Sequence, residues 1–302
     1  MPEPVLHPPS HPLPVGSLTP EPTADGSFTL FSEDFGEWFH SREGAYTEAY
    51  TTYVNATALT QLAQAKSVSL LDVCYGLGYN TAAALATVQQ VNPQCRVHLV
   101  GLELDGRVPK QAVDAGLVDR WSSEIQQILA QLAYAGQVNA LPLHAELRLG
   151  DARQTIQTLA NEGFQADVIF FDPFSPPHCP ELWTVDFIRQ VARCLRPGGK
   201  LATYSCAAAV RAAFLEVGLH IGPMAAAGRR WPGTLVQWSP DGLNPLSPQE
   251  QEHLQTRAAV LYRDPSLQDR ADAIRQRRQR EQSQSSLAPT SQWRKRWLSS
   301  KR

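Results

Sequence analysis

The chain has 302 residues, 43% of them hydrophobic and 19% charged, with a formal net charge of −2. That describes an ordinary globular chain, long enough for one large domain with extensions. No run approaches the ~18 apolar residues of a membrane span, and the N-terminus lacks the basic-then-apolar order of a secretion signal. The five cysteines (Cys74, Cys95, Cys179, Cys194 and Cys206) form no C-x-x-C pair, which argues against a zinc site and a disulfide framework. The reading is a cytoplasmic protein with no metal and no membrane attachment.

Residues 1–26 are expected to be a disordered leader, since the first 24 positions hold eight prolines and little apolar periodicity. Residues 27–65 read as a small N-terminal extension. It comprises two short strands, Ser27–Phe31 and Trp38–His40, and a helix over Thr47–Leu62. Between 66 and 240 strands and helices alternate. Strands are predicted at Val68–Val73, Arg96–Leu102, Ala145–Leu149, Val168–Phe171, Lys200–Tyr204 and Gly233–Trp238. Helices are predicted around Thr81–Gln90, Pro109–Ala115, Ser122–Gly136, Ala152–Ala160, Pro180–Leu195 and Ala207–Val217. Such β-α alternation predicts an α/β fold: a mostly parallel, seven-stranded, Rossmann-like sheet with helices on both faces.

Residues 241–302 read as a helical or flexible basic tail, with a helix over Pro248–Tyr262 and a flexible stretch over 282–292. Residues 263–302 carry 11 Lys+Arg and 4 Asp+Glu, a balance of +7, against 16 and 25 in the remainder, a balance of −9. Arg275–Arg280 and Trp293–Trp297 interleave cations with polar and aromatic residues, a pattern that suits a polyanionic partner or simply a solvated surface. Deleting residues 263–302 is expected to weaken nucleic-acid affinity but leave cofactor binding intact.

Four sites carry chemistry. In Leu71-Asp72-Val73-Cys74-Tyr75-Gly76-Leu77-Gly78-Tyr79-Asn80-Thr81 a strand ends, two glycines allow a tight turn, and a helix begins. The turn lacks the third glycine of a dinucleotide fingerprint and the Lys-Ser/Thr of a P-loop. It suits the amino-acid end of S-adenosyl-L-methionine (SAM), with Asp72, Tyr75, Gly76, Gly78 and Asn80 as candidate contacts, or a purely structural βα turn. Glu103, at the end of the next strand, is placed to accept from ribose hydroxyls; Asp105 is the alternative. Asp151 is placed to accept from an adenine amino group, to cap the helix that follows, or both. Finally, Asp172-Pro173-Phe174-Ser175-Pro176 follows the apolar run Val168–Phe171. It puts an acid, a proline-fixed carbonyl and an aromatic face at a strand's C-terminal end. An acceptor-rich pocket without a nucleophile suits an amine substrate, which must be held and deprotonated. Asp172 would be the catalytic acceptor, with the Pro173 carbonyl and the Phe174 ring beside the substrate.

These pieces in this order resemble a class I SAM-dependent methyltransferase, and more narrowly the methyltransferase domain of the MnmC/MnmD family. The resemblance runs from about Phe28 to Trp238. It rests on Ser41-Arg42-Glu43-Gly44-Ala45 with Glu48 and Tyr53-Val54, on Asp72–Asn80, on Asp172–Trp183, and on Leu195-Arg196-Pro197-Gly198-Gly199 with Leu201–Ser205. It implies SAM as cofactor and methylation of the aminomethyl group of wobble uridine in the anticodon region of tRNA, without the FAD oxidase half of the bifunctional members. It also implies substrate-side roles for Arg42, Glu48, Tyr53, Pro173, Phe174 and Trp183. Arg229 and Arg230, in the basic stretch before the last strand, would contact tRNA. Pro173, Ser175, Cys179 and Leu182 depart from the family pattern, all within the substrate loop. A spermidine-synthase-like aminopropyltransferase and a silent SAM- or RNA-binding module are the other readings. The first would need a longer Gly-rich run and a second acidic motif. Oligomeric state is not legible.

Overall fold

The computed structural model describes residues 18–224 and 232–298; Arg229 and Arg230 lie outside them. Strands β1 (Leu18–Pro22), β2 (Phe28–Ser32) and β3 (Glu37–Trp38) form a small antiparallel sheet. Strands β4 (Ser67–Val73), β5 (Arg96–Glu103), β6 (Gln137–Ala140), β7 (Leu143–Leu149), β8 (Ala166–Phe171), β9 (Leu195–Thr203), β10 (His220–Pro223) and β11 (Thr234–Gln237) form the main sheet. Its order is β10-β11-β9-β8-β4-β5-β7-β6.

The five strands β9, β8, β4, β5 and β7 are parallel neighbours, and β6, β11 and β10 pair antiparallel at the two edges. The fold is thus Rossmann-like, with eight strands where seven were expected. Of the two strands beyond the six placed from sequence, β6 carries one buried residue, Val138, among four. It therefore shows no apolar alternation, and its pairing with β7 is a tertiary matter. The short strand β10 is equally silent in the sequence.

Both faces of the sheet are buried. Leu70, Leu99, Ala145, Val168 and Phe170 pack on one side with the helices Tyr79–Val91 and Ser123–Ala135. Leu71, Val73, Val100, Leu102, Ile169 and Phe171 pack on the other with Ala152–Asn161, Val185–Arg193 and Ala208–Glu216. This explains why the strands read as continuous apolar runs. The chain leaves β4 toward β5 on one side and meets β8 on the other. The crevice at the C-terminal ends of β4, β5 and β8 is therefore the switch point where open α/β sheets bind ligands.

Three segments differ from expectation. The leader is ordered at least from Leu18, because β1 pairs along its whole length with β2. The helix expected over Thr47–Leu62 is broken into Ala45–Glu48, a π-helical Ala49–Val54 and Leu59–Leu62, with Ala58 at φ 58° between the last two. The C-terminal region is not a tail appended to the domain. Leu261, Tyr262, Leu267 and Ile274 are buried in the same core cluster as Leu102 and Trp183. Residues 271–284 and 290–298 are helical, and Trp293 stacks on His253 at 4.0 Å.

Candidate active site

A cavity of about 900 Å³ opens at the switch point. Its floor is the turn between β4 and the helix Tyr79–Val91. Cys74 sits there at φ 70°, Gly76 at φ 57° and Gly78 at φ 84°. Only glycine takes the last two without strain, and a cysteine held at positive φ marks backbone over-determined by its surroundings. The two glycines do different things. Gly76 faces the cavity, where a Cβ would come within 3.4 Å of Phe39. Gly78 leaves room for Tyr75, whose hydroxyl oxygen would stand 2.6 Å from an added Cβ. Tyr75 is itself buried and also packs over Gly101 of β5, so it is both a cavity wall and a wedge under the turn.

Glu103 ends β5 with its carboxylate against that turn. Its Oε2 accepts from the Gly76 N–H at 2.8 Å and its Oε1 from the Asp105 N–H at 2.9 Å. Burial nonetheless pushes it up to about 7, because the two N–H groups only partly offset lost hydration and Asp105 adds repulsion. Asp105 is clamped in a fork by the Arg107 guanidinium at 2.8–3.0 Å. Both acids line the cavity, and Asp105 is the one that carries the Arg107 guanidinium. Asp72 lies beneath the turn, off the cavity surface. Thr81 Oγ1 donates to its Oδ2 at 2.7 Å, and its Oδ1 is buried without a hydrogen bond. Burial, with a smaller push from Glu103, raises it to about 7.

Asp151 lines the cavity and caps the helix Ala152–Asn161, accepting from the Arg153 N–H at 2.9 Å. Its carboxylate also takes the buried Arg153 guanidinium at 2.7 Å. The capping alternative is thus realised, and it is reinforced by a buried ion pair that local sequence could not announce.

Asp172 follows β8 directly, its N–H bonded to the Val73 carbonyl at 3.1 Å. It is accessible from the cavity, and Asn80 Nδ2 donates to its Oδ2 at 2.9 Å. The fully buried Tyr53 hydroxyl is held close to the same carboxylate, short of a well-formed hydrogen bond. Desolvation pushes Asp172 up to about 7, opposed by Tyr53 and Asn80 and aided by Asp72. Beyond it the loop is pinned by its own carbonyls. Tyr204 Oη donates to the Pro173 carbonyl at 2.9 Å, and Trp183 Nε1 donates to the Phe174 carbonyl at 2.7 Å. The Pro173 carbonyl is therefore already engaged, and Trp183 is a fully buried core residue rather than a surface for substrate.

The N-terminal sheet supplies the rest of the pocket. Phe35 stacks on Phe174 at 4.6 Å and Phe39 meets it edge-on at 4.9 Å. Glu37 accepts from the Ser175 N–H at 2.7 Å and from its hydroxyl. Glu48 lines the cavity and accepts from the Ser41 N–H at 3.0 Å. Arg42 is exposed, lies over Trp38 and pairs with Glu21 at 3.9 Å, away from the cavity surface. Sequence reading missed Phe35, Glu37, Phe39, Arg107 and Tyr204. Tyr204 closes an expected strand without being marked as a site residue; the others sit neither in the SAM-type glycine turn nor at the end of a main-sheet strand, and only the fold brings them to the site.

The site offers acceptors and aromatic faces but no activated nucleophile. The thiols of Cys74 and Cys179 reach the cavity, and burial pushes both well up from the ordinary thiol range. Glu103 and Asp172 line the cavity, and a cavity edged by carboxylates suits a ligand carrying positive charge. SAM, with its sulfonium and ammonium, fits that demand. Glu103, Gly76 and Tyr75 would hold it beside Asp172.

Comparison with known proteins agrees. Residues 110–238 match the family described as S-adenosyl-L-methionine-dependent methyltransferase. An uncharacterised protein of Methanocaldococcus jannaschii is 28% identical over 263 residues, 83% of this chain and 69% of that one. The tRNA 5-methylaminomethyl-2-thiouridine biosynthesis bifunctional protein MnmC of Ralstonia nicotianae is 29% identical, over 70% of this chain and 33% of its own length. The chain thus spans about a third of the MnmC relatives it matches. The crystal structure of MnmC2 from Aquifex aeolicus superposes with a TM-score of 0.79 at 29% identity, covering 89% of this chain and 86% of that one. The switch-point cavity, the match over residues 110–238 and the shared fold make the chain similar to MnmC-like SAM-dependent methyltransferases.

Proposed function

We propose that the chain transfers the SAM methyl group to the amino nitrogen of an aminomethyl-uridine at the wobble position of tRNA. The carrying observation is Asp172: an acid held at about 7, at the cavity floor, between Asn80 and an aromatic wall. The names of the MnmC and MnmC2 relatives supply the substrate class.

SAM supplies an electrophilic methyl on sulfonium. The protein's part is to orient the amine, keep it dry and take one proton. An aminomethyl group arrives mainly as ammonium, with no lone pair to attack with. Ionised Asp172 accepts a hydrogen bond from it and then its proton, and a base near 7 is matched to that transfer at neutral pH. Asn80 holds the carboxylate in place, and it and the nearby Tyr53 hydroxyl favour its charged form. Phe174, wedged between Phe35 and Phe39, presents an apolar face beside the reacting nitrogen. Glu37, locked onto Ser175, ties that face to the loop bearing Asp172. In-line placement and electrostatics then carry the reaction. Bound SAM would give its methyl to the freed nitrogen lone pair and leave as the neutral thioether, so the residues here need form no covalent intermediate.

The test is transfer from labelled SAM to tRNA lacking the wobble methylation, read by nucleoside mass spectrometry. Label is expected on the 5-aminomethyl nitrogen. Asp172→Asn should retain S-adenosylhomocysteine binding and lose roughly 10²–10⁴-fold in rate. Full activity in that variant removes Asp172 from the mechanism. Label elsewhere in the tRNA removes the substrate.

A further inference from the structure

Residues 256–284 lie outside the stretch matched to the methyltransferase family. They are nonetheless built into the cavity. Arg270, Ala271 and Arg275, at the start of the helix Ala271–Gln284, line it together with Leu182. Arg275 Nη1 donates to the Pro177 carbonyl at 2.7 Å, in the loop that carries Asp172.

The link to the floor is a buried ion network. The Arg153 guanidinium is 1% exposed; its Nη2 pairs with Asp151 at 2.7 Å and its Nη1 with the fully buried Asp264 at 2.9 Å. Arg153 Nη1 also donates to the Asp269 carbonyl at 2.9 Å. Asp264 Oδ1 accepts from the N–H groups of Gln268 and Asp269, and the Asp264 N–H is taken by Asp186 Oδ2 at 2.7 Å. The segment is therefore folded around the carboxylate that fixes Arg153, and Arg153 fixes Asp151 on the cavity wall. A charge this deeply buried keeps its place only while its partners keep theirs.

We infer that residues 256–284 are the outer wall of the methyl-donor pocket, and that Asp264 and Arg153 are positioning residues that set donor affinity through Asp151. The inference rests on the SAM assignment and extends it to a part of the chain that charge alone marked as a nucleic-acid tail. Removing residues 263–302 would then abolish donor binding, contrary to the expectation from sequence. Because coupling is reciprocal, a bound donor also holds the segment in place.

The full-length chain decides the matter with S-adenosylhomocysteine as probe, by calorimetry below each variant's unfolding midpoint. Asp264→Asn keeps shape and removes the charge; it should weaken binding about tenfold. Its KM for SAM should rise while kcat at saturating SAM and tRNA affinity stay unchanged, a split that a merely structural role would not produce. Arg275→Ala, on the surface, should weaken binding by a smaller factor and serves if Asp264→Asn fails to fold. In the unaltered chain the probe should increase amide-exchange protection across residues 262–275. Parental affinity in both variants, with no change in protection, overturns the inference while leaving the donor assignment standing. Failure of the unaltered chain to bind the probe overturns both.

Discussion

Asn80 donates its side-chain amide to Asp172 at 2.9 Å, joining the first turn of the helix after β4 to the loop after β8. The two residues are 92 positions apart, and parallel pairing of β4 with β8 puts them side by side. A neutral donor on a buried carboxylate favours its charged form. Asn80→Ala removes that donor, so Asp172 should titrate above 7. The acid limb of the methyl-transfer pH profile should then move to higher pH, by up to about one unit. Activity at about pH 9 should approach that of the unaltered chain, since the carboxylate is then ionised in both. A profile that does not move would show that Asn80 does not govern the Asp172 charge.

Stability should fall as pH rises through neutrality. Asp72, Glu103 and Asp172 are each raised to about 7 by burial, from ordinary values of 3.8 for the aspartates and 4.5 for the glutamate. The folded state therefore binds protons more tightly than the unfolded one. Its stabilising contribution is full below about pH 4 and is lost through about pH 7. Scanning calorimetry should show the midpoint of the ligand-free chain declining over that window, apart from effects of other groups. Asp72→Asn keeps the Thr81 partner and removes one such group, so it should stabilise the chain at about pH 8 by roughly 1–3 kcal/mol. A destabilised variant at that pH would contradict the assignment.

Gly78 tests the glycine turn. Alanine there would be strained at φ 84° and would press its Cβ to 2.6 Å from the Tyr75 hydroxyl oxygen. The matched control is Gly163→Ala, at φ 81° with nothing within 4 Å of the added Cβ. The control isolates the backbone term, about 1–2 kcal/mol. Gly78→Ala should cost more than the control by about 1–3 kcal/mol, because Tyr75 must shift in a packed site. Urea unfolding of the two variants measures the difference. Equal losses would mean Tyr75 yields freely.

The basic C-terminal region is mostly spent on internal contacts. Arg277 pairs with Asp269, Arg278 donates to the Val260 and Ala258 carbonyls, and Arg296 pairs with Glu252. Arg294 and Lys295 are exposed on the helix Thr290–Leu298. Reversing both to Glu should weaken tRNA binding and reduce the slope of log affinity against log salt by about 2, roughly one unit for each phosphate no longer neutralised. Donor binding should be unaffected. An unchanged slope would place the tRNA-binding surface elsewhere.

Much of the site could be read locally. Glycines that must adopt positive φ, acids at strand ends and apolar runs buried on both faces are constraints between near neighbours. They leave their mark in short stretches such as Asp72–Asn80 and Val168–Asp172. Glu103 stands at the strand end where position puts it, whereas the Arg107 fork on Asp105 left no mark in the sequence. Trp183 was legible as important but not as a core residue that pins the Phe174 carbonyl, because its partner depends on the fold of the loop.

The sequence by itself determined the strand-turn-helix units, their parallel stacking and the acids at the strand ends, since these follow from periodicity and backbone sterics over a few residues. Tertiary structure alone decided which groups meet across the cavity. Phe35 and Phe39 close on Phe174, and Asp264 reaches Arg153 across 111 positions. It also decided that a region marked by its positive charge is packed into the domain. The reason is physical: a buried ion pair or an aromatic contact is set by distance in the folded chain, and separation along the sequence carries no trace of it.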